Sequence, residues 1–279
     1  MMSQYRFQKK YQYLVFTDLD GTLLDHETYS FEPALPALKA LKERNVPLII
    51  CTSKTRAEIE QVRTELHNTH PFISENGGAI FIPKSYFSFT FPFTKQESNY
   101  FVIEFGTAYS RLREFFHQIK NLNPGEIKGF GDFSPQEVAE LCGFSLQKAN
   151  LAKKREYDEP FILENDAVLN KIQEIAMDAS LQITRGGRFY HLTGNSDKGK
   201  AILLLIKIYK QKSKHLKSIA LGDSLNDLPM LEVVDYPILV QKPDGSYDPS
   251  VKLNNLIPAS GRGPSGWCDS VFKLLNKSL

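Results

Sequence analysis

Apolar and polar positions alternate between strand-like and helix-like patterns along the first third of the chain. Two apolar runs of strand length, Tyr13 to Thr17 and Val46 to Cys51, are separated by a segment whose leucines recur every third residue. That spacing predicts one face of a helix between residues 31 and 44. A second helix is predicted over 54–67, and further strands over 72–73 and 79–82. This order predicts a parallel sheet with right-handed crossovers.

The pattern changes near Pro83 and returns after Ser196. Between them lie an aromatic, alternating stretch over 86–93, a helix start at Ser134, and predicted helices over 111–120 and 166–179. Strands are predicted there over 159–163, 181–184 and 189–193. The last part predicts helices over 198–209 and 227–232 and strands over 218–221 and 238–240. We therefore predict an α/β fold: a Rossmann-like parallel-sheet core from residues 1–84 and 193–279, interrupted by an inserted α+β cap domain at 85–192.

Composition narrows the class of protein. The net charge of +2 over 279 residues is too small to favour nucleic acid as a partner, and the basic residues are scattered. Three widely separated cysteines indicate neither a zinc site nor a disulfide framework. No apolar run approaches the roughly 20 residues that cross a bilayer, and the first residues lack the apolar segment of a signal peptide. We expect a cytoplasmic enzyme, monomeric or a homodimer, that acts on a small molecule.

The end of the first predicted strand carries the clearest chemistry. Asp18 and Asp20 are two carboxylates two residues apart, followed at once by Gly21. Like charges this close raise each other's pKa and cost stability, so a divalent cation with oxygen ligands is expected to offset them. An alternative, in which these residues only open a turn, stays open for this segment alone.

Three further elements follow the ends of predicted core strands, where ligands of parallel sheets bind. They are Thr52-Ser53-Lys54-Thr55, Lys198 within Asn195–Gly199, and Gly222-Asp223-Ser224-Leu225-Asn226-Asp227. Taken singly, Ser53 could be a helix N-cap, Lys198 a solvated lysine and the acidic loop another cap. Together they supply a nucleophilic carboxylate, a second acid, a hydroxyl, an ammonium group and Mg²⁺ ligands, which phosphate ester hydrolysis requires.

With these motifs in this order, the whole chain resembles the haloacid dehalogenase-like hydrolase superfamily. The resemblance implies that Asp18 is the nucleophile that becomes an aspartyl-phosphate and that Asp20 is the general acid and later the base. It further implies that Ser53 and Lys198 bind the phosphoryl group. The magnesium ligands would be Asp18, Asp20 through its carbonyl, Asp223 and Asp227. Asp227, together with Asn226, could instead hold the loop or a metal-bound water.

A finer resemblance is to the mannosyl-3-phosphoglycerate phosphatases. It rests on the Thr-Ser-Lys-Thr form of the second motif and on four further segments, which are Glu75–Ile80, Arg155–Phe161, Gly186–His191 and Gly263–Trp267. It implies hydrolysis of 2-O-mannosyl-3-phosphoglycerate to mannosylglycerate and phosphate, a step of compatible-solute synthesis. Where that family commonly has serine in the second segment, this chain has Asp158.

The cap residues are assigned less directly. Phosphoglycerate carries a carboxylate as well as a phosphate, which suits arginine and closely approaching glycine N–H groups. The candidate substrate ligands are Lys54, Arg155, Glu156, Arg185, Gly187 and Arg188. A glycine hairpin turn with solvated arginines, and a surface ion pair of Arg155 with Glu156, remain alternatives. His191 is expected to be a packed strand residue.

Other functions are weighed against this one. Gly194–Ala201 nearly spells a phosphate-binding loop of nucleotide hydrolases, but Ala201 lacks the hydroxyl that would bind Mg²⁺. A phosphomutase would share the aspartyl-phosphate step and then return the phosphoryl group to a sugar. A glucosyl-3-phosphoglycerate phosphatase, a broader sugar phosphatase and a non-catalytic binding module also remain, and the sugar epimers differ only in the direction of one hydroxyl.

Overall fold

The computed structural model describes residues 12–186, 189–213 and 215–276. Contacts divide the chain into two compact units. The first consists of Met1–Leu48, Ile206–Ser224 and Val234–Leu279, and the second of Ile49–Leu205 and Leu225–Val233. These borders differ from the predicted core and cap limits, which are defined by an insertion rather than by contacts. The predicted domain limits therefore stay a prediction.

The secondary structure follows the predicted rhythm. The strands are β1 (Gln12–Thr17), β2 (Leu48–Cys51), β3 (Phe72–Ser74), β4 (Ala79–Pro83), β5 (Lys95–Glu97), β6 (Tyr100–Glu104), β7 (Ile127–Gly129), β8 (Asp158–Leu163), β9 (Gln182–Gly186), β10 (Phe189–Thr193), β11 (Leu216–Gly222), β12 (Tyr236–Gln241) and β13 (Ile257–Arg262). The α-helices are α1 (Leu35–Glu43), α2 (Arg56–Glu65), α3 (Tyr109–Leu122), α4 (Pro135–Cys142), α5 (Leu146–Ala152), α6 (Leu169–Asp178), α7 (Lys198–Lys210), α8 (Leu228–Glu232) and α9 (Gly263–Asn276).

The first unit contains a parallel sheet in the order β13-β12-β11-β1. All of β1 after its first residue is buried, which explains why its sequence is almost wholly apolar. Helix α9 packs against β12, β13 and α1 and buries most of its length. The parallel sheet predicted from the sequence is confirmed here, and it places the ends of β1 and β11 side by side.

The second unit contains two groups of strands. In the first group β2 pairs with β3 in parallel, and β3-β4-β6-β5 continue as antiparallel neighbours. The second group is an antiparallel sheet in the order β7-β8-β10-β9. Helices α3 and α6 cover one face of this sheet, over Phe161, Ile183, Tyr190 and Leu192. The opposite face has Ile162 and Phe189 packed on the α4 and α5 cluster.

Several elements differ from the sequence reading. The alternating aromatic stretch forms turns and bends, in which Phe87 is buried against Phe89 and Phe91. Strands β5, β6, β7 and β13 and helices α5 and α9 were not predicted. Helix α4 begins as predicted, with Ser134 and Glu137 forming a capping box.

Among the described residues, no helix has both the length and the apolar character needed to cross a bilayer. The cytoplasmic location and the oligomeric state stay predictions.

Candidate active site

The loop after β1 presents the first acidic pair. The N–H of Asp18 donates to Leu221 O of β11 at 3.0 Å. The hydrogen bonding between β1 and β11 therefore continues to the first residue of the loop. Leu19 O then accepts from the N–H groups of Thr22 and Leu24, which closes a tight turn. Asp18 is buried and Asp20 half-buried. The two carboxylates therefore stand on a rigid strand end rather than on a free loop.

Asp223 reaches the same loop from β11. The hydroxyl of Thr22 donates to Asp223 Oδ1 at 3.3 Å. Gly21 has φ +76°, a backbone conformation that favours glycine, and a Cβ there would lie 2.8 Å from Asp223 Oδ2 and would displace that carboxylate. Carboxylate oxygens of Asp18 and Asp223 lie within 4.8 Å of each other, in an acidic group that could hold a metal ion. Such paired carboxylates are the hard oxygen ligands that fit Mg²⁺.

The second motif lies between β2 and α2. Thr55 is the N-cap of α2 and forms a capping box with Glu58, so the last residue of the motif begins the helix. Lys54 is buried, with its Nζ 3.8 Å from Glu58 Oε1. Ser53 is half-buried, and its carbonyl accepts from Arg155 Nη1 at 3.0 Å. The alternative considered for Ser53, a helix N-cap, therefore applies to Thr55 instead.

A strained turn after β3 holds this motif by its backbone. The N–H of Glu75 donates to Lys54 O at 3.1 Å, and the N–H of Asn76 donates to Thr52 O at 3.0 Å. Glu75, Asn76 and Gly77 have φ values of +46°, +54° and +93° in succession. Left-handed backbone at non-glycine residues is costly and persists where surrounding contacts impose it.

The same turn reaches two further segments of the second unit. A Cβ on Gly77 would overlap the carbonyl of Asp197, so only glycine allows this turn to approach the peptide before Lys198. The carboxylate of Glu75 accepts from the N–H of Glu156 at 3.0 Å and of Tyr157 at 2.8 Å. Burial raises the pKa of Glu75 to about 8, against the opposing effects of Arg155 and these N–H groups. The turn thus joins the Ser53, Arg155 and Lys198 segments.

Lys198 is fully buried at the start of α7. Its ammonium group donates to Asp227 Oδ1 at 2.6 Å, and neither side chain has measurable exposure. Removing either partner of such a pair would leave a buried charge uncompensated. Lys198 is therefore not the solvated lysine of the alternative reading, and Asp227 holds it in place.

Arg155 and Glu156 both have protein partners. Arg155 Nε donates to Ala152 O at 2.8 Å. Its Nη1 donates to Ser53 O and lies 3.6 Å from Asp158 Oδ2. Glu156 Oε1 accepts from Arg56 Nε at 2.8 Å. The surface pairing of Arg155 with Glu156 considered from the sequence is not formed, because Arg155 pairs with Asp158 and Glu156 pairs with Arg56.

Comparison with known proteins now decides the family. The sequence profile of the haloacid dehalogenase-like hydrolases matches residues 15–244, most of the chain. The chain belongs to this family. A relative from Methanococcoides burtonii, named glucosyl-3-phosphoglycerate/mannosyl-3-phosphoglycerate phosphatase, is 52% identical over 96% of this chain and 98% of its own. A mannosyl-3-phosphoglycerate phosphatase from Pyrococcus horikoshii is 40% identical over 81% of this chain and 90% of its own.

Solved structures agree on the fold of this hydrolase. A phosphatase of the same superfamily from Bacteroides thetaiotaomicron superimposes with a TM-score of 0.66, covering 100% of this chain and 99% of that one, at 14% identity. At that identity the likeness concerns the fold alone. The profile match and the relatives confirm the superfamily recognised from the sequence, and the solved structure confirms the α/β fold.

Arg185 lies in different surroundings from Arg155. It pairs with Tyr190 across β9 and β10, with its guanidinium 5.3 Å from the ring centroid. Tyr190 faces the helices α3 and α6, whereas Asp158 and His191 alternate to the opposite face of the sheet. Arg185 lines a cavity of about 460 Å³ together with Asn165, Asp166 and Tyr190. Gly187 and Arg188 lie outside the described residues.

The buried partners of the cap segment were missed by sequence reasoning. His191 Nδ1 lies 2.7 Å from Asp158 Oδ2, so the histidine is packed, as expected, but also paired with the residue that departs from the family pattern. Glu75 was noted only as part of a family segment. The one available hint was a charged residue directly after an apolar strand, because a charge that is buried there needs a partner.

Proposed function

We propose that this hydrolase releases phosphate from 2-O-mannosyl-3-phosphoglycerate, giving mannosylglycerate, and that the glucosyl ester is a second substrate. The observation that carries this is the carboxylate arrangement at the ends of β1 and β11, on a chain 52% identical to a relative named for both esters. The Pyrococcus relative is named for the mannosyl ester. The shared substrate class is a glycosylated phosphoglycerate.

Asp18 is the nucleophile of the proposed reaction. Its carboxylate attacks phosphorus and forms an aspartyl-phosphate, while Asp20 gives a proton to the leaving oxygen of the glycerate. Asp20 then accepts a proton from the water that attacks the same phosphorus, which returns free Asp18 and inorganic phosphate. The hydrogen bond from the Asp18 N–H to Leu221 O supports this role, because it fixes the backbone from which the nucleophile projects.

Ser53 and Lys198 bind the phosphoryl oxygens in this proposal. The serine hydroxyl donates a hydrogen bond, and the ammonium group balances negative charge that increases during transfer. Arg155 and the Glu75 turn hold the Ser53 backbone, and Asp227 holds Lys198, so both groups are preorganised. Lys54, also buried near the start of α2, is a further predicted substrate ligand.

Asp18, Asp20 and Asp223 would hold Mg²⁺. Asp227, which the sequence also predicted as a ligand, gives a carboxylate oxygen to Lys198. When bound, the ion would offset the repulsion between an anionic nucleophile and an anionic substrate. The carboxylate chemistry of the site suits that hard cation.

A phosphate-release screen tests the proposed substrate. Mannosyl-3-phosphoglycerate, glucosyl-3-phosphoglycerate, free 3-phosphoglycerate and common sugar phosphates are compared by kcat/KM with Mg²⁺. We expect both glycosyl esters to exceed the others by about 100-fold, a difference of roughly 2.7 kcal/mol in transition-state binding. Similar values for simple sugar phosphates would refute the narrow assignment. Dependence on an added sugar bisphosphate would instead favour a phosphomutase.

A further inference from the structure

The segment Gly263–Trp267 has no part in the chemistry proposed above, yet it is one of the most specific segments of the chain. It forms the first turn of α9, directly after β13. Trp267 is the single tryptophan of the chain and is fully buried. A large aromatic side chain placed here needs a partner for its indole N–H.

The glycines of this segment shape the start of α9, which lies beside the Asp18 loop. Gly263 has φ +42°, and a Cβ there would lie 3.7 Å from the carbonyl of Gly21. A Cβ on Gly266 would overlap the carbonyl of Gly261, so the first turn packs closely on the end of β13. The first turn of α9 is therefore held against the end of β13, next to Gly21 of the acidic loop.

Two hydrogen bonds connect Trp267 to the backbone of Asp18. The indole Nε1–H donates to the hydroxyl of Thr17 at 3.0 Å, and that hydroxyl donates to the carbonyl of Asp18 at 2.7 Å. Trp267 and Thr17 are fully buried, and Asp18 is 5% exposed. Because these groups are buried, water cannot replace either hydrogen bond if its partner is removed.

The order of donors gives this chain of bonds a direction. A hydroxyl has one proton, so accepting from the indole leaves the Thr17 proton directed at the Asp18 carbonyl. The Asp18 N–H is already bonded to Leu221 O. We infer that Trp267 is a positioning residue for Asp18, acting through the hydroxyl of Thr17. This inference rests on the proposed role of Asp18 as the nucleophile.

A double-mutant cycle tests it. Thr17→Val keeps the shape of the side chain but removes the hydroxyl, and Trp267→Phe keeps an aromatic ring but removes the N–H. Each single variant is expected to lower kcat about three- to tenfold, the worth of one buried hydrogen bond, with KM within about twofold. Because the indole acts through the hydroxyl, kcat of the double variant should be no lower than kcat of the less active single variant. Thr17→Ser should restore kcat.

Two outcomes would overturn the inference. One is a double variant in which the two losses multiply. The other is a pair of single variants whose thermal midpoints fall while kcat stays at the wild-type value, which indicates packing alone. If Trp267→Phe does not fold, the comparison of Thr17→Val with Thr17→Ser tests whether the hydroxyl positions Asp18, and the fluorescence of Trp267 in these variants tests the indole contact.

Failure of the proposed substrate is kept separate. The cycle is also measured on 4-nitrophenyl phosphate, whose hydrolysis needs the nucleophile but neither glycerate nor sugar. A wild-type enzyme active only on this ester would refute the proposed function and leave the cycle readable. Tryptophan fluorescence reports the contact itself, since it comes from Trp267 alone. Thr17→Val should shift its emission to shorter wavelength and Thr17→Ser should not; an unchanged spectrum in Thr17→Val would also count against the inference.

Discussion

The loop Asp18–Thr22 and the segment Arg155–Glu159 both bring charged residues close together, but they use them differently. In the loop the backbone is held by Leu221 O and by the Thr17 hydroxyl, and the carboxylates are the groups to which we assign the proposed chemistry. In the segment the charged side chains themselves are bonded to protein groups. Glu159, for example, accepts from Arg113 and Tyr109 in the interior. A charged side chain in a family-specific segment can thus serve to hold loops rather than substrate.

The largest effect is expected where the side chain does the chemistry. Asp18→Asn should lower phosphate release from mannosyl-3-phosphoglycerate by about 1,000-fold or more, because an amide cannot form the acyl phosphate. Circular dichroism and the thermal midpoint should stay near the wild-type values. Asp25→Asn is the matched control, since this carboxylate of the following turn accepts hydrogen bonds from exposed groups of Thr28 and Glu27. Substantial turnover by Asp18→Asn would refute the mechanism.

Arg155 tests the other side of the comparison. Arg155→Ala should cost about 3 kcal/mol of unfolding free energy, because Asp158 would keep only its contact with His191, and the carbonyls of Ala152 and Ser53 would lose their donor. Urea unfolding measures this, and Lys128→Ala, which breaks an exposed pair with Glu137, should cost less than about 1 kcal/mol.

Arg155→Lys separates positioning from substrate binding. Lysine keeps the charge but cannot reproduce the fork that contacts Ala152 and Ser53, so kcat should fall about tenfold with little change in KM. A rise in KM at unchanged kcat would instead place Arg155 on the substrate carboxylate, as the sequence suggested.

Glu75 predicts a pH dependence of stability. Its folded pKa, about 8, lies above its ordinary value of 4.5, so the folded state holds the proton more tightly. The stability contributed by Glu75 is therefore fully present below pH 4.5 and is lost as the pH rises through 8. Urea midpoints between pH 5 and 9 should fall, and Glu75→Gln should reduce that slope. An equal slope in both proteins would show that other groups cause it.

The arrangement of the loop Asp18–Thr22 could be predicted from the sequence because its parts are local. Asp18, Asp20 and Gly21 are contiguous at a strand end, and strand ends of a parallel sheet lie together, so their meeting with Asp223 follows from topology. The burial of Lys198 could not be read in this way, since its partner lies 29 residues further along the chain.

The parts that were missed depend on tertiary contacts. Helix α9 starts with Gly-Pro-Ser-Gly, a sequence typical of a turn, and only packing on β12 and β13 makes it helical. Strand β5 is three polar residues long, Lys95 to Glu97, and exists by pairing with β6. The Asn76-Gly77 pair is a local turn signal, but the positive φ of Glu75 depends on the tertiary contacts of its side chain.

The smallest effect is expected at Arg185, whose charged side chain could either contact the substrate or lie at the surface. It is exposed beside Tyr190 on the face covered by α3 and α6, and Asp158, the partner of Arg155, lies on the other face. Arg185→Ala should therefore change kcat less than about twofold and unfolding free energy by less than about 0.5 kcal/mol. Steady-state kinetics on both glycosyl esters measure it. A fivefold or larger rise in KM would place Arg185 at the substrate, as the sequence predicted.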